Sequence, residues 1–270
     1  MSVGRLTPLN FFLHLFRSGS WQLVTDDFAA EFERLRNSDA FVRGGPSPIL
    51  WQTGSKYVLK VPCADGHAVY KTSFKINDTH RYWFRPSPSG IELFNMLRLR
   101  KLGIPTAEML AIGETRRLLI VKNSFLISRF IDGRDGRDFC RNGIHGGDDD
   151  LKVRFCREHL KLLAKLHRHG ILHRNFTPMN LLYRNDGDAW RSWWIDLASC
   201  RSALWINLKD VAAEIFKLFK NIALSDAQRR SLLADYLAAA DRPQRDIDKL
   251  HRHVERLLAV KTETDKNSLE

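Results

Sequence analysis

The chain has 270 residues, 44% of them hydrophobic, which is enough to bury a sizeable core in one two-lobed unit or in two small domains. Lys and Arg number 43 against 31 Asp and Glu, and the resulting formal net charge of +12 favours anionic partners. No apolar run reaches the ~20 residues of a bilayer-spanning helix, and the sequence contains no aromatic-basic nucleic-acid module and no C-x-x-C pair of a zinc ribbon.

The cysteines are scattered along the chain, which predicts reduced thiols in the cytosol. An apolar patch near the start, residues 9–17, is open to three interpretations. A cleaved signal peptide is poorly supported, because only Arg5 precedes the patch and no small-residue cleavage site follows. An amphipathic segment lying on a membrane and a helix packed on the N-terminal half of the protein both remain open.

Residues 56–61 and 68–71 form two strand-like runs with a turn signal between them, so the sequence predicts a β-hairpin. Lys71 follows A-V-Y as the phosphate-binding lysine of kinases follows V-A-I. Lys60, which follows V-L, is a rival for this role. We favour Lys71 because it lies on the second strand, closer to the next helix. A glycine-rich phosphate lid is weakly marked, with only Gly54-Ser55 before the strands.

Residues 90–97 place Leu93, Met96 and Leu97 on one face at helical spacing, which predicts a helix that carries Glu92. A lysine on a strand and a glutamate on the adjoining helix can form the ion pair that directs the lysine at ATP. Residues 125–131 are then predicted as a strand forming the hinge, before a Gly/Asp/Arg-rich stretch. We therefore predict an N-lobe with an N-terminal extension over residues 1–127 and a C-lobe over residues 128–270.

A long helix is predicted after the acidic run at 148–150, because apolar residues recur at helical spacing up to His167 and Gly170 follows. The helix leads into H-R-N-F-T-P-M-N, and a hairpin then leads to I-D-L. This matches the kinase pattern H-R-D-x-x-x-x-N plus a metal-binding aspartate, with one change. Asn180 and Asp196 take the two metal-binding positions, whereas Asn175 replaces an aspartate and cannot accept a proton.

Three further helices are predicted from apolar periodicity, over residues 211–219, 227–239 and 245–260, followed by a polar tail. The histidines at 145, 159, 167, 169 and 173 are interpreted as core or surface residues, since His167 and His169 point to different helix faces.

These motifs, from Trp51 to about Lys220, resemble the lipopolysaccharide kinase family, whose members phosphorylate Kdo or heptose of the bacterial inner core. The resemblance implies an α+β, bilobal protein-kinase-like fold with a small β-rich N-lobe and a larger helical C-lobe. It also implies transfer of the γ-phosphoryl group of ATP to a sugar hydroxyl, with Mg²⁺ or Mn²⁺ as the metal. By resemblance, Asp210 in L-K-D-V-A-A begins a buried helix and supports the catalytic loop; an ordinary helix-capping role is the alternative.

By the same resemblance, Lys71 contacts the ATP phosphates, Glu92 orients Lys71, Asn180 and Asp196 hold metal, and Asn175 occupies the catalytic position. The expected partner is an anionic glycolipid, the lipopolysaccharide core, and not nucleic acid. The expected location is the cytoplasm, with peripheral contact at the inner membrane. A pseudokinase that binds or scaffolds without chemistry is the alternative function, because Asn175 departs from the active pattern.

Overall fold

The structure is a computed structural model that describes residues 2–14, 17–74, 85–117, 120–140, 142–186 and 189–267. The chain forms two compact units. The first contains Met1–Leu97 and Ala107–Ile131, and the second contains Arg98–Thr106 and Asp132–Glu270. The lobe boundary predicted after residue 127 stays a prediction.

A seven-stranded sheet dominates the first unit, in the order β1-β2-β6-β7-β5-β4-β3. β1 is parallel to β2, and the other neighbours are antiparallel. The strands are β1 Ser2–Arg5, β2 Gly19–Val24, β3 Ile49–Thr53, β4 Lys56–Cys63, β5 Gly66–Ser73, β6 Met109–Arg117 and β7 Ile120–Arg129. Three helices begin in this unit: α1 Pro8–His14, α2 Ala29–Asn37 and α3 Pro88–Lys101.

The predicted hairpin is the β4–β5 pair, in which Lys60 lies opposite Val69 and Val58 opposite Lys71. Gly66, at the start of β5, has a φ of 108°, a conformation that only glycine adopts without strain. The turn predicted from A-D-G is therefore explained by its glycine, which adopts the positive φ that the turn requires.

One face of the β4–β5 hairpin, the face that does not carry Lys71, contributes to a hydrophobic core that α2 covers. Leu59 and Val61 of β4 and Ala68 of β5 are buried together with Phe32 and Leu35 of α2. Because side chains alternate across a strand, Lys71 lies on the face opposite Ala68 and Leu59. The sequence did not predict β1, β2 or α2.

The short helix α1 covers residues 9–14 of the apolar patch at 9–17. Phe11 is buried in the first unit, and the His14 ring lies 5.5 Å from the Trp21 ring. Leu9 and Leu13 are exposed. The packed-helix interpretation therefore holds for Phe11, and residues 15 and 16 lie outside the described residues.

The second unit is mainly helical and carries two small sheets, β11-β10-β8 and β12-β9. Its strands are β8 Arg134–Asp135, β9 Ile171–Leu172, β10 Leu181–Asp186, β11 Ala189–Trp194 and β12 Arg201–Ser202. Its helices are α4 Asp149–Arg168, α5 Leu208–Phe219, α6 Asp226–Ala239 and α7 Ile247–Asn267.

The helix boundaries in this unit follow the sequence signals closely. Asp148 is the N-cap of α4, its side chain accepting from the Leu151 amide at 2.9 Å, and Gly170 follows the helix with a φ of 65°. The three predicted C-terminal helices are α5, α6 and α7. α7 continues to Asn267, through most of the predicted tail. Residues 268–270 lie outside the described residues. Gly187, in the predicted turn between β10 and β11, also lies outside them. Among the helices that the structure describes, none has both the length and the hydropathy of a membrane span.

Candidate active site

In the first unit, Lys71 of β5 forms an ion pair with Glu92 of α3. The Lys71 Nζ atom lies 2.7 Å from Glu92 Oε2, and the two side chains are 28% and 9% exposed. The rival Lys60 makes a different contact, its Nζ lying 4.2 Å from the centroid of the Phe130 ring. The strand–helix ion pair expected from the sequence is therefore made by Lys71.

Buried polar groups hold the start of α3, and so position Glu92. The Gly90 amide donates to Ser87 Oγ at 2.9 Å, and Ser89 Oγ donates to Ser124 Oγ of β7 at 3.0 Å. Next to them, Arg116 Nε of β6 donates to Glu114 Oε2 at 2.8 Å, with both side chains fully buried. Burial raises the pKa of Glu114 above its usual value, although the Arg116 charge acts in the opposite direction.

The weakly marked lid, Gly54-Ser55, is the two-residue turn between β3 and β4. No atom of the described residues lies within 4 Å of a Cβ placed on Gly54. The Phe74 amide donates to the Ser55 carbonyl at 2.9 Å, which holds the turn against the end of β5. A short turn with accessible backbone is compatible with phosphate contact, as the sequence suggested.

In the second unit, the loop that follows β9 begins with a fully buried histidine. The His173 ring packs edge-on against Phe176 and Trp194, with centroids 5.7 and 5.1 Å away. Burial lowers the pKa of His173 to about 4, so the ring is neutral at pH 7. A neutral ring can accept a hydrogen bond, and His173 Nδ1 accepts one from the Asn175 amide at 3.3 Å.

The three predicted polar residues of this unit are joined by hydrogen bonds. Asn175 Nδ2 donates to Asp196 Oδ2 at 3.0 Å, and Asn180 Nδ2 donates to the Asn175 carbonyl at 3.0 Å. The β10–β11 pairing accounts for this proximity, because the Ile195 amide donates to the Asn180 carbonyl at 3.0 Å. The hairpin therefore joins the loop amides to the Asp196 carboxylate.

Two residues of this site have left-handed backbone conformations, Arg174 with a φ of 65° and Asp196 with a φ of 56°. Such conformations cost about 1–3 kcal/mol each outside glycine and concentrate at functional sites. The surrounding structure supports them: Ser199 Oγ donates to the His173 carbonyl at 2.8 Å, and Lys217 Nζ donates to the Arg174 carbonyl.

The support beneath the loop comes from Glu214 of α5, which the sequence analysis did not identify. Glu214 accepts from the His173 amide at 3.0 Å, from the Arg174 amide, and from His167 Nε2 at 2.9 Å. Burial alone would raise the pKa of Glu214, but these hydrogen bonds and the His167 charge lower it below its usual value. The carboxylate is therefore ionised and holds two consecutive loop amides.

The supporting role predicted for Asp210 was wrong. The Asp210 carboxylate accepts from the Asn207 amide at 3.2 Å, and Asn207 Oδ1 accepts from the Asp210 amide at 3.0 Å. This reciprocal pair is a capping box at the start of α5. The alternative, a helix-capping role, is the one observed. Glu214 lies one turn further along, on the buried face of the same helix.

The remaining histidines and cysteines form no metal centre among the described residues. His159 accepts from Trp194 Nε1 at 3.1 Å, and burial lowers the pKa of His159 to about 3. All four cysteines are free thiols. One group has metal-like spacing: Asp226, His251 and Glu255. Both Glu255 oxygens, however, accept hydrogen bonds from Arg229, at 2.6 and 3.1 Å. We interpret that group as an ion-pair network.

Comparisons with known proteins agree with the kinase-like pattern. The sequence matches the model of the lipopolysaccharide kinase (Kdo/WaaP) family over residues 72–236, more than half of the chain. Serine/threonine-protein kinase greatwall is 36% identical over 66 residues in Xenopus tropicalis and 35% identical over 66 residues in Mus musculus. Each alignment covers 24% of this chain, which spans about 7% of the length of these curated relatives.

A solved structure described as WaaP in complex with acyl carrier protein has a similar fold, with a TM-score of 0.65 and 17% sequence identity. The similarity covers 90% of this chain and 98% of that chain. The predicted α+β, protein-kinase-like fold is therefore confirmed.

Proposed function

Because the chain belongs to the lipopolysaccharide kinase (Kdo/WaaP) family, we propose that it is an ATP-dependent kinase that phosphorylates a sugar, Kdo or heptose, of the lipopolysaccharide inner core. The family membership predicted from the sequence is confirmed by the match, and it identifies the chain as a kinase. The choice of sugar and the roles of individual residues belong to the proposal. The observation that supports it best is the cluster in which Asn175 contacts both Asp196 and Asn180.

The donor set of this cluster fits a hard divalent cation. Asp196 offers carboxylate oxygen, and Asn180 uses its amide nitrogen on the Asn175 carbonyl, which leaves its amide oxygen for a cation. Asn180 and Asp196 would hold Mg²⁺ or Mn²⁺, and the metal, when bound, neutralises the charge of the ATP phosphates. Lys71, oriented by Glu92, supplies a positive charge to the same phosphates.

Asn175 positions the acceptor in this proposal and does not act as a base. Its Nδ2 donates to Asp196, so its Oδ1 remains to accept a hydrogen bond from the acceptor hydroxyl. The hydroxyl oxygen forms a bond to the γ-phosphorus, the bond from that phosphorus to the β–γ bridging oxygen breaks, ADP leaves, and the hydroxyl proton passes to solvent. Positioning and electrostatics carry most of the rate in phosphoryl transfer, so an amide at this position is compatible with turnover.

The second candidate function is a pseudokinase, and the identity of residue 175 is the observation that favours it. Against it, the Lys71–Glu92 ion pair and the Asn180 and Asp196 side chains are all present. A protein without chemistry has no need to keep this whole set.

The substrate of the proposed reaction is lipid-linked, so we also propose a cytoplasmic protein that contacts the inner membrane peripherally. An acyl carrier protein is a further candidate partner, because the WaaP of similar fold was solved in complex with one.

The test measures phosphate transfer from ATP to purified core oligosaccharide in the presence of Mg²⁺. We expect transfer by the chain itself and a loss of about 10²–10³-fold in Asp196→Ala, because the metal loses a ligand. Asn175→Asp is expected to raise the rate about 10- to 100-fold by adding a general base.

Two outcomes would contradict the proposal in different ways. Transfer by Asn175→Asp alone would show that the chain is inactive at the chemical step and would favour the pseudokinase. If both forms bind ATP and neither transfers phosphate to the oligosaccharide, the assignment to the lipopolysaccharide core is wrong.

A further inference from the structure

Two adjacent large apolar side chains in the second unit project into solvent. Leu204 is 94% exposed and Trp205 is 86% exposed, more than any other large hydrophobic residue that the structure describes. They lie between β12 and α5, and we refer to these two residues as the apolar tip. Contiguous exposed apolar surface rimmed by polar residues is a feature of protein–protein and membrane interaction sites.

Both ends of the segment that carries the apolar tip are held by hydrogen bonds. On one side the Ala203 amide donates to the Gly170 carbonyl at 2.8 Å, and on the other Arg242 donates to the Ile206 carbonyl. The intervening residues are therefore displayed from fixed ends. This display differs from that of α1, where Leu9 and Leu13 are exposed but Phe11 between them is buried.

Basic side chains surround the start of α5 and continue along α7. Lys249, Arg252 and Arg256 are exposed and follow an i, i+3, i+7 spacing, so they share one face of α7; we refer to them as the basic stripe. Lys209, in the first turn of α5 and close in sequence to Trp205, belongs to the same region. The pKa of His253 is lowered first by burial and then by the nearby positive charges of Lys209 and the basic stripe.

The acidic residues of α7 close to the stripe do not neutralise it, because they pair with α6. Glu255 binds Arg229 through both oxygens, and Asp248 binds Arg230. His251, on the same helix, lies 3.0 Å from Asp226 of α6. Positive charge therefore collects on the side of α7 that carries the stripe, near Lys209 of α5.

We propose that the apolar tip and the basic stripe together bind the surface of an anionic lipid bilayer. Tryptophan is enriched where protein meets the membrane–water interface, because its ring is apolar and its N–H group is polar. Lysine and arginine nearby attract anionic headgroups, and the two contributions add. This inference rests on the proposed peripheral membrane contact and names the surface that makes it.

The position of the apolar tip in the fold suits a substrate that is attached to a lipid. β12, which leads to the tip, pairs with β9, which leads directly into the His173 loop. The connection from Asp196 to Leu204 can span at most ~29 Å when fully extended. A lipid-linked sugar whose lipid is bound at the apolar tip therefore starts no more than ~29 Å from Asp196.

The test measures co-sedimentation of the full chain with vesicles of phosphatidylethanolamine and phosphatidylglycerol, and with vesicles of phosphatidylcholine alone. We expect the chain to bind the anionic vesicles. The double variant Leu204→Ser/Trp205→Ser should bind them with about tenfold lower affinity. The triple variant Lys249→Gln/Arg252→Gln/Arg256→Gln should bind them with about 10²-fold lower affinity.

Matched controls separate the surface from general hydrophobicity and net charge. Leu9→Ser/Leu13→Ser removes two exposed leucines from α1, and Lys101→Gln/Arg117→Gln/Lys122→Gln removes the same charge from exposed positions outside the stripe. We expect both controls to bind anionic vesicles as the original chain does. Thermal melting checks that each variant is folded.

The proposal is overturned if the chain does not bind anionic vesicles, if the tip variant binds them normally, or if the α1 variant loses binding in its place. It is also overturned if the tip variant keeps vesicle binding but loses capture by purified acyl carrier protein, since the surface would then be a protein interface.

Phosphate transfer separates a failure of this inference from a failure of the proposed function. The tip variant should transfer phosphate to soluble core oligosaccharide at the original rate and to vesicle-embedded lipopolysaccharide more slowly. Loss of transfer to both acceptors would contradict a role limited to the membrane.

Discussion

The two regions that carry the predicted site residues are built differently. In the second unit, the loop containing Asn175 rests on fully buried His173 and on Glu214, which is 3% exposed. In the first unit, Lys71 is partly exposed and forms an ion pair with Glu92. The loop conformation is therefore enforced by the protein interior, whereas the lysine lies partly exposed on a sheet and pairs with Glu92.

This difference separates stability from turnover. A group that meets substrate must stay accessible, so its replacement affects the reaction more than the fold. A group that holds a loop in left-handed backbone conformations must be buried and fully hydrogen-bonded, so its replacement affects the fold. Substitutions in the first unit should accordingly lower the rate of the reaction, and substitutions beneath the loop of the second unit should lower the free energy of unfolding.

The largest effect is expected for Glu214→Ala. The change leaves the His173 and Arg174 amides and the His167 side chain without their acceptor. Removing one member of such a buried charged network costs about 3–5 kcal/mol of unfolding free energy, measured by urea denaturation at pH 7.

Asp210→Ala is the matched control on the same helix. It removes one half of a capping box on the surface of α5 and should cost about 1 kcal/mol. If Asp210→Ala proves the more damaging of the two, the supporting role belongs to Asp210 as the sequence suggested.

The residues that touch substrate in the proposed reaction were the easiest to predict from the sequence. Lys71, Asn180 and Asp196 were assigned these roles because phosphate and metal chemistry require certain side chains at certain spacings, and the roles stay a prediction. The hairpins and long helices around them were predicted for a similar reason, since turn glycines, caps and apolar periodicity are local signals. Only the sequence between residues 51 and 220 carried the resemblance to the family.

The residues that hold the site were harder to predict. Glu214 lies in A-E-I-F on the apolar face of α5, and the only available signal was a charged residue at a position whose neighbours are buried. Asp210 attracted the assignment because its motif resembles a kinase segment. The strands β1 and β2 and helix α2 were missed because their stability comes from packing on the sheet, which no local pattern reports.

A smaller effect is expected from pH, through the buried histidines of the second unit. Burial lowers the pKa of His173 to about 4 and that of His159 to about 3. Below pH 6.5 the unfolded chain takes up protons that the folded protein does not, so unfolding free energy falls as pH falls from 6.5 toward 4. Each histidine contributes a slope of about 1.4 kcal/mol per pH unit.

His159→Gln tests this pH dependence, because glutamine does not titrate and keeps an acceptor for Trp194 Nε1. Urea denaturation at several pH values between 6.5 and 4 should give a slope lower by about 1.4 kcal/mol per unit than in the original chain. An unchanged slope would mean that His159 takes up its proton in the folded protein.

The main effect of Lys71→Met should be on turnover. Methionine keeps most of the length of the side chain and removes the charge that faces Glu92. We therefore expect kcat/KM for ATP to fall about 10²-fold. Unfolding free energy should change less than in Glu214→Ala, because Lys71 is 28% exposed, although the change leaves the buried Glu92 carboxylate without this partner.

Lys60→Met is the control for this change, since Lys60 was the rival lysine and its ammonium group lies over the Phe130 ring. We expect Lys60→Met to keep kcat/KM for ATP within about threefold of the original value, because a cation–π contact of this kind is worth about 0.5–1 kcal/mol. If Lys60→Met loses activity and Lys71→Met retains it, the two lysines exchange roles. The ion pair with Glu92 would then be structural, and the contrast between an accessible first region and a buried second one would disappear.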